Sequence, residues 1–217
     1  MFPFARTFSS FTKAKLFGII LLCALLAVIT VGLVVVLITS LAAYFTNFET
    51  AWLNSIVKWS TGLVSGVFGW FVLPAFMVLF AGLFQEKTIN KVEKAYYPDR
   101  VREESPGFWP DIAHDIRFTA KALGLNILIL PLYLIGIGFI ISIILNSYLL
   151  GREFFESAAG HHMGKPAARK LGNNNKAAVY GGGFFIVLMS LTPILNIVMP
   201  ILATVWMVHV YHGLSDK

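Results

Sequence analysis

Basic side chains next to apolar stretches are the residues of this sequence that are best suited to chemistry. Arg117 and Lys121 are four residues apart, which places them on one face of a helix, and His114 lies one turn earlier on that face. Three potential cations in one stripe suit an anion path, and backbone N–H groups at helix N-termini add donors for an oxyanion. The alternative is that these long side chains simply reach a membrane interface.

A second charged cluster follows another apolar stretch. Arg152 and Glu156 have the i,i+4 spacing of a helical ion pair, and Glu153 lies between them. The cluster is either a surface pair of small energetic value or a charged gate beside a pore. Asn196, shortly after a proline, is a further pore or gate candidate.

Other polar residues do not form a convincing catalytic or metal site in the sequence. The adjacent His161 and His162 would point about 100° apart on a helix, and no Cys or acidic ligand follows at metal spacing. Asp111, His114 and Asp115 lack a nucleophile at a suitable spacing. We therefore expect no metal, no cofactor and no enzymatic activity.

The composition is that of an integral membrane protein. Hydrophobic residues make up 57% of the 217 residues and charged residues only 13%, about half the share in soluble domains. Four tracts, 16–48, 59–85, 122–151 and 177–208, contain no Asp, Glu, Lys or Arg, and each is long enough to span a bilayer. The net charge of +6 is spread between these tracts, which argues against nucleic-acid binding.

The four tracts differ in continuity. The first two predict spanning helices at about 14–45 and 59–85. The third is interrupted between Pro131 and Gly138, and the fourth at Pro193, after a glycine run at 181–183 that permits close packing. Pieces of 10–14 residues are more often re-entrant than spanning, and broken backbone is tolerated only where protein or a water-filled cavity satisfies it.

The distribution of Lys and Arg decides between two topologies. If every tract spans once, 11 of these residues lie on one side and 6 on the other, whereas two returning hairpins give 16 against 1. The positive-inside rule favours the second arrangement, with the N-terminus and most polar sequence cytoplasmic. We therefore predict a single all-α membrane domain, residues 1–217, with two long transmembrane helices and two partly inserted helical hairpins. Its further segments are an amphipathic stalk at 86–121, a hairpin at 122–151, a basic helix at 152–171 and a hairpin at 177–209.

Two stretches of the sequence carry a family resemblance. NSYLLGREFFE (146–156), followed by a basic helix, and TPILNIVMP (192–200), followed by MVHVYH (207–212), resemble the CysZ/etoposide-induced-protein family. The resemblance extends over nearly the whole chain in order and length.

The resemblance implies a function that the residue types alone do not specify. Members of the family let sulfate enter bacteria across the inner membrane for cysteine synthesis, without ATP hydrolysis, and assemble as homo-oligomers. Their fold has two long transmembrane helices and two partly inserted hairpins. Arg117 and Lys121 match a pair of basic residues on the helix that enters the first hairpin. The family's Gly-Leu-Arg type motif corresponds here to Thr12–Lys15, where Lys13 and Lys15 would supply charge to sulfate.

Two functions therefore remain open at the level of sequence. The first is a passive permease or channel for sulfate or a related oxyanion, embedded in the lipid bilayer, with sulfate bound by Arg117, Lys121, Lys13 and Lys15. The second is a non-transporting membrane scaffold or assembly protein of the same broad family.

Overall fold

The computed structural model describes residues 3–45, 51–102 and 108–215, and every regular element in these ranges is helical. The predicted all-α class is thereby confirmed for the described residues. Internal contacts divide the chain into two compact units, Gly18–Phe84 and Met1–Phe17 with Gln85–Lys217. Each unit is described by itself below.

The unit Gly18–Phe84 consists of two long apolar helices. Helix α2 covers Phe17–Phe45 and helix α3 covers Ala51–Leu83, so they are about 44 and 50 Å long at 1.5 Å per residue. They approach closely at Gly69, where an added Cβ would lie 3.1 Å from Val31 Cγ1. Both helices exceed the roughly 30 Å thickness of the hydrocarbon core, as spanning helices that tilt or emerge from it do.

The other unit contains seven further α-helices in the described ranges. An amphipathic helix α1 at Phe4–Lys13 was absent from the sequence prediction, because its polar residues suggested only caps for the next helix. Helix α4 (Gln85–Tyr96) leads to a short 3₁₀ helix, and then come α5 (Phe108–Tyr133), α6 (Gly138–Met163), α7 (Lys165–Asn174), α8 (Lys176–Ser190) and α9 (Pro193–Ser215).

Helices α5 and α6 pack as an antiparallel pair joined by residues 134–137. The chain reverses just after Pro131, which lies in the last turn of α5, and Gly136 adopts a φ of +80°. A left-handed residue in this short turn suits glycine, which has no Cβ to collide with the carbonyl. The structure thus has a helix pair broken inside the predicted interval between Pro131 and Gly138.

The second predicted break also coincides with a helix boundary. Helix α8 ends at Ser190 and α9 begins at Pro193, where the fixed φ of proline and its missing N–H suit the first helical turn. Helix α9 is the core of this unit, since every residue from Met199 to His212 is buried and α9 contacts α6, α8, α4 and α1. Trp206 stacks on Phe185, with ring centroids 4.2 Å apart.

One predicted boundary falls inside a helix. The sequence placed the end of the first hairpin at Gly151, but α6 continues without a break to Met163. Gly151 serves instead as a contact point with α8, because an added Cβ would lie 2.5 Å from the carbonyl oxygen of Val179. A glycine that allows two helices to approach need not end its own helix.

Five helices in the described ranges are long and apolar enough to cross a membrane, at Phe17–Tyr44, Trp52–Leu83, Ala113–Tyr133, Gly138–Met163 and Leu195–Ser215. The coarse prediction of a multi-pass membrane protein is confirmed on this basis. The arrangement as two spans and two hairpins stays a prediction, as does the division of the domain into its segments.

Candidate oxyanion-binding site

Side chains of α5 contact side chains of α6 about once per helical turn. Two of the cations predicted on α5, His114 and Lys121, make such contacts. His114 contacts Glu156 at 2.5 Å, and one turn further along, the Arg152 guanidinium lies 4.8 Å from the Phe118 ring centroid. Lys121 Nζ then lies 5.8 Å from the ring centroid of Tyr148. Each step of one turn up α5 matches one turn down α6, as an antiparallel helix pair requires.

Glu156 is the common partner of Arg152 and His114. Arg152 Nε donates to Glu156 Oε1 at 2.5 Å, and His114 Nε2 lies 2.5 Å from Oε2 of the same carboxylate. We call His114, Arg152 and Glu156 the charged triad. The i,i+4 pair expected from the sequence exists, but Arg152 and Glu156 are only 5% and 4% exposed. Removing two charges from water costs free energy. A buried ion pair of this kind is therefore stable only where good geometry and further hydrogen bonds offset that cost.

Two further cations, Lys121 and Arg117, lie on α5 outside the charged triad. Both side chains are exposed on α5, and Lys121 lies beside the half-buried Tyr148. The phenol oxygen of Tyr148 is also 3.4 Å from Arg152 Nη1, so Tyr148 links Lys121 to the charged triad. A guanidinium and an ammonium one helical turn apart, with a phenol nearby, offer donors suited to a tetrahedral oxyanion.

A cavity of about 200 Å³ adjoins this region but has the wrong charge for an anion. Asp115, Glu153 and Glu156 line it, with Lys165 as a cation that pairs with Asp115. Three carboxylates against one ammonium would repel sulfate. The arrangement therefore places Glu153 on an acidic wall, away from the exposed cations of α5.

Lys13 ends α1 and Lys15 follows it in the turn, and both contact α4. Lys13 Nζ lies 4.2 Å from the ring centroid of Tyr96, and Lys91 Nζ donates to the carbonyl oxygen of Lys15 at 3.0 Å. The structure thus brings His114, Lys121, Arg152 and Glu156 together with Arg117 nearby, and it places Lys13 and Lys15 in a separate contact group.

The turn at Lys15 uses backbone donors that an anion would otherwise bind. Leu16 N–H donates to the carbonyl of Phe11 at 3.1 Å and Lys15 N–H to that of Thr12 at 3.2 Å. With Lys15 at φ +51°, this is the Schellman pattern that ends a helix, and the position is normally glycine. Two N–H groups of the turn are therefore already engaged.

Asn196 lies in the first turn of α9, where its backbone N–H donates to the carbonyl of Thr192 at 2.8 Å. Its side chain is half-buried. The structure places Asn196 at the break between α8 and α9, apart from the charged triad on α6.

A polar cluster that the sequence argument did not foresee connects α1, α4, α6 and α9. Glu93 Oε1 lies 2.6 Å from His162 Nε2 and 2.9 Å from His212 Nε2. Burial alone would raise the pKa of the Glu93 carboxyl, but its hydrogen bonds and electrostatic interactions with these two histidines outweigh burial, so the pKa is lowered. His209 bonds Ser10 of α1 at 2.9 Å and Tyr97 at 2.8 Å.

One signal in the sequence pointed to this cluster. Glu93 lies on the apolar stripe of α4, next to the buried Ile89 and Val92, where an unpaired carboxylate would be unfavourable. An acidic residue in such a stripe indicates a partner elsewhere in the fold, although nothing local identifies His162 or His212 as that partner.

Comparison with known proteins gives one match. The model of the family described as sulfate transporter CysZ/etoposide-induced protein 2.4 matches residues 3–200. No curated protein and no solved structure matches at a significant level.

Proposed function

The chain belongs to the sulfate transporter CysZ/etoposide-induced protein 2.4 family, and from this premise we propose that it is a passive permease for sulfate. The family match over residues 3–200 is the observation that carries the proposal, because it covers nearly all of the helices. A passive permease requires a path and groups that replace part of the hydration shell of the ion. In this proposal the helix pair α5–α6 would supply both.

Arg117 and Lys121 form the first binding position in this proposal. Both are exposed, and they precede the uncharged stretch 122–151, so the dianion would meet them before the membrane-embedded part of the pair. Guanidinium and ammonium groups give the charge-assisted hydrogen bonds that sulfate accepts. Lys13 and Lys15 would attract the ion from a second position by charge alone, because N–H groups of their turn are engaged.

Exposed apolar residues at the tip of the α5–α6 pair support partial insertion of this pair into the bilayer. Leu134 and Ile135 at the tip are 90% and 67% exposed, as apolar residues facing lipid would be. From residue 122 to the tip the helix covers about 20 Å, which is less than the roughly 30 Å of the hydrocarbon core. We therefore propose that the uncharged part of this pair enters the bilayer without crossing it, although the full length of each helix would suffice to cross.

The charged triad acts as the gate in this proposal. Sulfate and carboxylate are both oxyanions that accept hydrogen bonds from a guanidinium, so a passing sulfate can replace Glu156 as the partner of Arg152. His114 would hold the released carboxylate, since it contacts the other oxygen of Glu156. Glu153 on the acidic wall and Asn196 at the start of α9 remain further candidates for the gate.

The cellular setting is also part of the proposal. We place the protein in the bacterial inner membrane, with the N-terminus and most polar segments in the cytoplasm, where sulfate would enter cysteine synthesis. The split of 16 Lys and Arg against 1 supports this orientation. Assembly into homo-oligomers is proposed from the family resemblance.

The experiment is uptake of radiolabelled sulfate into proteoliposomes that contain the purified protein. The proposal predicts that sulfate equilibrates along its gradient without ATP or a second ion gradient, whereas empty liposomes stay impermeable. The engaged N–H groups of the turn at Lys15 favour the rival function, a membrane scaffold, because they weaken one expected anion site. Absence of uptake together with absence of sulfate binding in calorimetry would contradict the proposal and favour that rival.

A further inference from the structure

The C-terminal ends of three helices meet at a buried carboxylate. Glu93 lies in the last turn of α4, His162 in that of α6 and His212 near the end of α9. One ligand atom from each of these residues lies within 4.8 Å of the other two. Glu93 is 0% exposed and His212 1% exposed. We call these three residues the Glu93 cluster.

We propose that the Glu93 cluster binds a divalent transition-metal ion, with Zn²⁺ as the best fit. Two imidazole nitrogens and one carboxylate are a known zinc ligand set, which leaves a fourth position for water or a second carboxylate oxygen. This inference does not rest on the proposed transport function, because none of the three residues belongs to the charged triad or to the cations of α5.

The geometry is close to that of a metal site. The carboxylate oxygen Oε1 lies 2.6 and 2.9 Å from the two Nε2 atoms. Ligand atoms around a tetrahedral zinc ion lie about 3.3 Å apart, given zinc–ligand bonds of about 2.0–2.1 Å. The two oxygen–nitrogen pairs therefore need to separate by less than about 1 Å to admit the ion, while the two imidazole nitrogens, which lie within 4.8 Å of each other, need to settle at a similar spacing.

The second oxygen of Glu93 gives an independent reason for a cation. Glu93 Oε2 is buried and has no hydrogen-bond partner among the described residues. A buried carboxylate oxygen without a donor costs free energy that a bound cation would recover. A metal ion that Glu93 holds through both oxygens would satisfy this atom.

Aromatic rings hold the two histidines in place. Tyr97 stacks on His212 with ring centroids 3.9 Å apart, and Tyr211 stacks on His162 at 5.1 Å. Rings fixed in this way keep their nitrogens aimed at Glu93 and lower the entropy lost on binding. The bound ion would tie the ends of α4, α6 and α9 together, so its role is structural.

Spacing along the chain does not show which side chains meet in the fold, so the expectation of no metal did not include the three residues of the Glu93 cluster together. His161 and His162 do not act as a pair in the structure, since His161 contacts Asn90 at 3.2 Å while His162 faces Glu93. His161 is therefore a matched control, because it is an adjacent, buried histidine on the same helix that lies outside the proposed ligand set.

The test uses the full chain in detergent. It measures the amount of metal bound per chain and the change in melting temperature when metal is added. After treatment with EDTA, wild type and His161→Gln are expected to take up about one Co²⁺ or Zn²⁺ per chain, with a tetrahedral Co²⁺ absorption band and a melting temperature raised by several degrees. His162→Gln is expected to bind at least about tenfold more weakly, because it removes a direct ligand and even the loss of a group that only orients a ligand weakens binding about 10–100-fold.

X-ray absorption at the zinc edge on wild-type protein provides a readout that needs no variant. Two imidazole ligands and oxygen in the first shell would support the site. The proposal is overturned if folded wild type retains no metal and shows no thermal response. It is equally overturned if His161→Gln loses binding as fully as His162→Gln, or if the absorption spectrum contains no imidazole.

Discussion

Arg152 and Glu156 form a buried ion pair that costs desolvation free energy and that also belongs to the proposed gate. Their charges are almost fully removed from solvent, and each satisfies the other through one hydrogen bond, with His114 and Tyr148 as further partners. Taking two charges from water is expensive, and the pair offsets that expense only while both members are present. A gate built on such a pair can open only if another anion takes the place of the carboxylate.

The pairing of Arg152 and Glu156 makes a quantitative prediction. Glu156→Met is expected to lower the free energy of unfolding by about 3–5 kcal/mol, because it leaves the buried Arg152 without its carboxylate. Arg152→Met is expected to cost less, because Glu156 keeps His114 as a partner. The double variant should be less destabilised than the sum of the two single variants by at least about 2 kcal/mol. Chemical denaturation in detergent measures all three. If the loss of unfolding free energy in the double variant equals the sum of the losses in the two single variants, the two side chains are not coupled.

Lys15 is a residue in an unfavourable backbone conformation. Its φ of +51° is one that an L-residue adopts at a cost of about 1–2 kcal/mol and that glycine adopts freely. Lys15→Gly is therefore expected to stabilise the protein by about 0.5–1 kcal/mol in thermal or chemical unfolding. Lys15→Ala removes the same ammonium group but keeps the Cβ, and it should give no gain. A gain of equal size in both variants would show that charge, not backbone strain, is the cause.

At the scale of elements, the contact between α6 and α8 depends on glycine. A Cβ added to Gly183 would collide with the carbonyl oxygen of Ser147 and lie 2.7 Å from Gly151 Cα. Backbone atoms on both helices leave no flexible side chain to move aside. This contact holds the part of α6 that carries Arg152 and Glu156, so the charged triad depends on it.

The glycine contact predicts a large effect from a small substitution. Gly183→Ala is expected to destabilise the protein by several kcal/mol or to prevent folding, because overpacking at a backbone contact forces the helices apart. Gly124→Ala on α5 is the matched control, since nothing lies within 4 Å of its added Cβ. The control should be neutral or stabilising by up to about 1 kcal/mol. Equal melting temperatures for the two variants would contradict the close approach.

The elements that sequence could predict are those controlled by local chemistry. Proline at 193 and the residues between 131 and 138 mark helix ends because they act on their own backbone. The stripe of His114 and Lys121 was predictable from helical spacing, and so was the pairing of Arg152 with Glu156.

What sequence could not predict depends on residues far apart in the chain. Glu93 meets His162 and His212 across 69 and 119 positions, and no local spacing encodes such a meeting. The burial of the charged triad likewise follows from how α5 and α6 pack, since the sequence alone also allowed a surface pair. Helix α1 was missed because its polar residues also read as caps for the apolar helix that follows.

At the scale of the whole molecule, the distribution of charge predicts how the chain sits in a membrane. Of the 17 Lys and Arg residues, Lys58 alone is expected on the side opposite to the rest. The chain has one cysteine, Cys23, so a Cys23→Ser background permits single-cysteine labelling.

Labelling with a membrane-impermeant maleimide tests this orientation. Cysteines introduced at Lys94 and Arg169, both exposed, should react in inside-out vesicles and be protected in intact cells, whereas a cysteine at Lys58 should show the reverse. Reaction of Arg169→Cys from outside would require the third tract to span the membrane, and the two-hairpin topology would then be wrong.

The most direct measurement of the central claim is the initial rate of sulfate uptake into proteoliposomes by Arg117→Ala/Lys121→Ala. The matched control, Arg169→Ala/Lys170→Ala, removes the same two side-chain types from exposed positions on α7. Loss of two charge-assisted contacts should lower the rate at least about tenfold in the first variant, while the control keeps the wild-type rate. Wild-type uptake by Arg117→Ala/Lys121→Ala would contradict the claim that sulfate passes along the cations of α5.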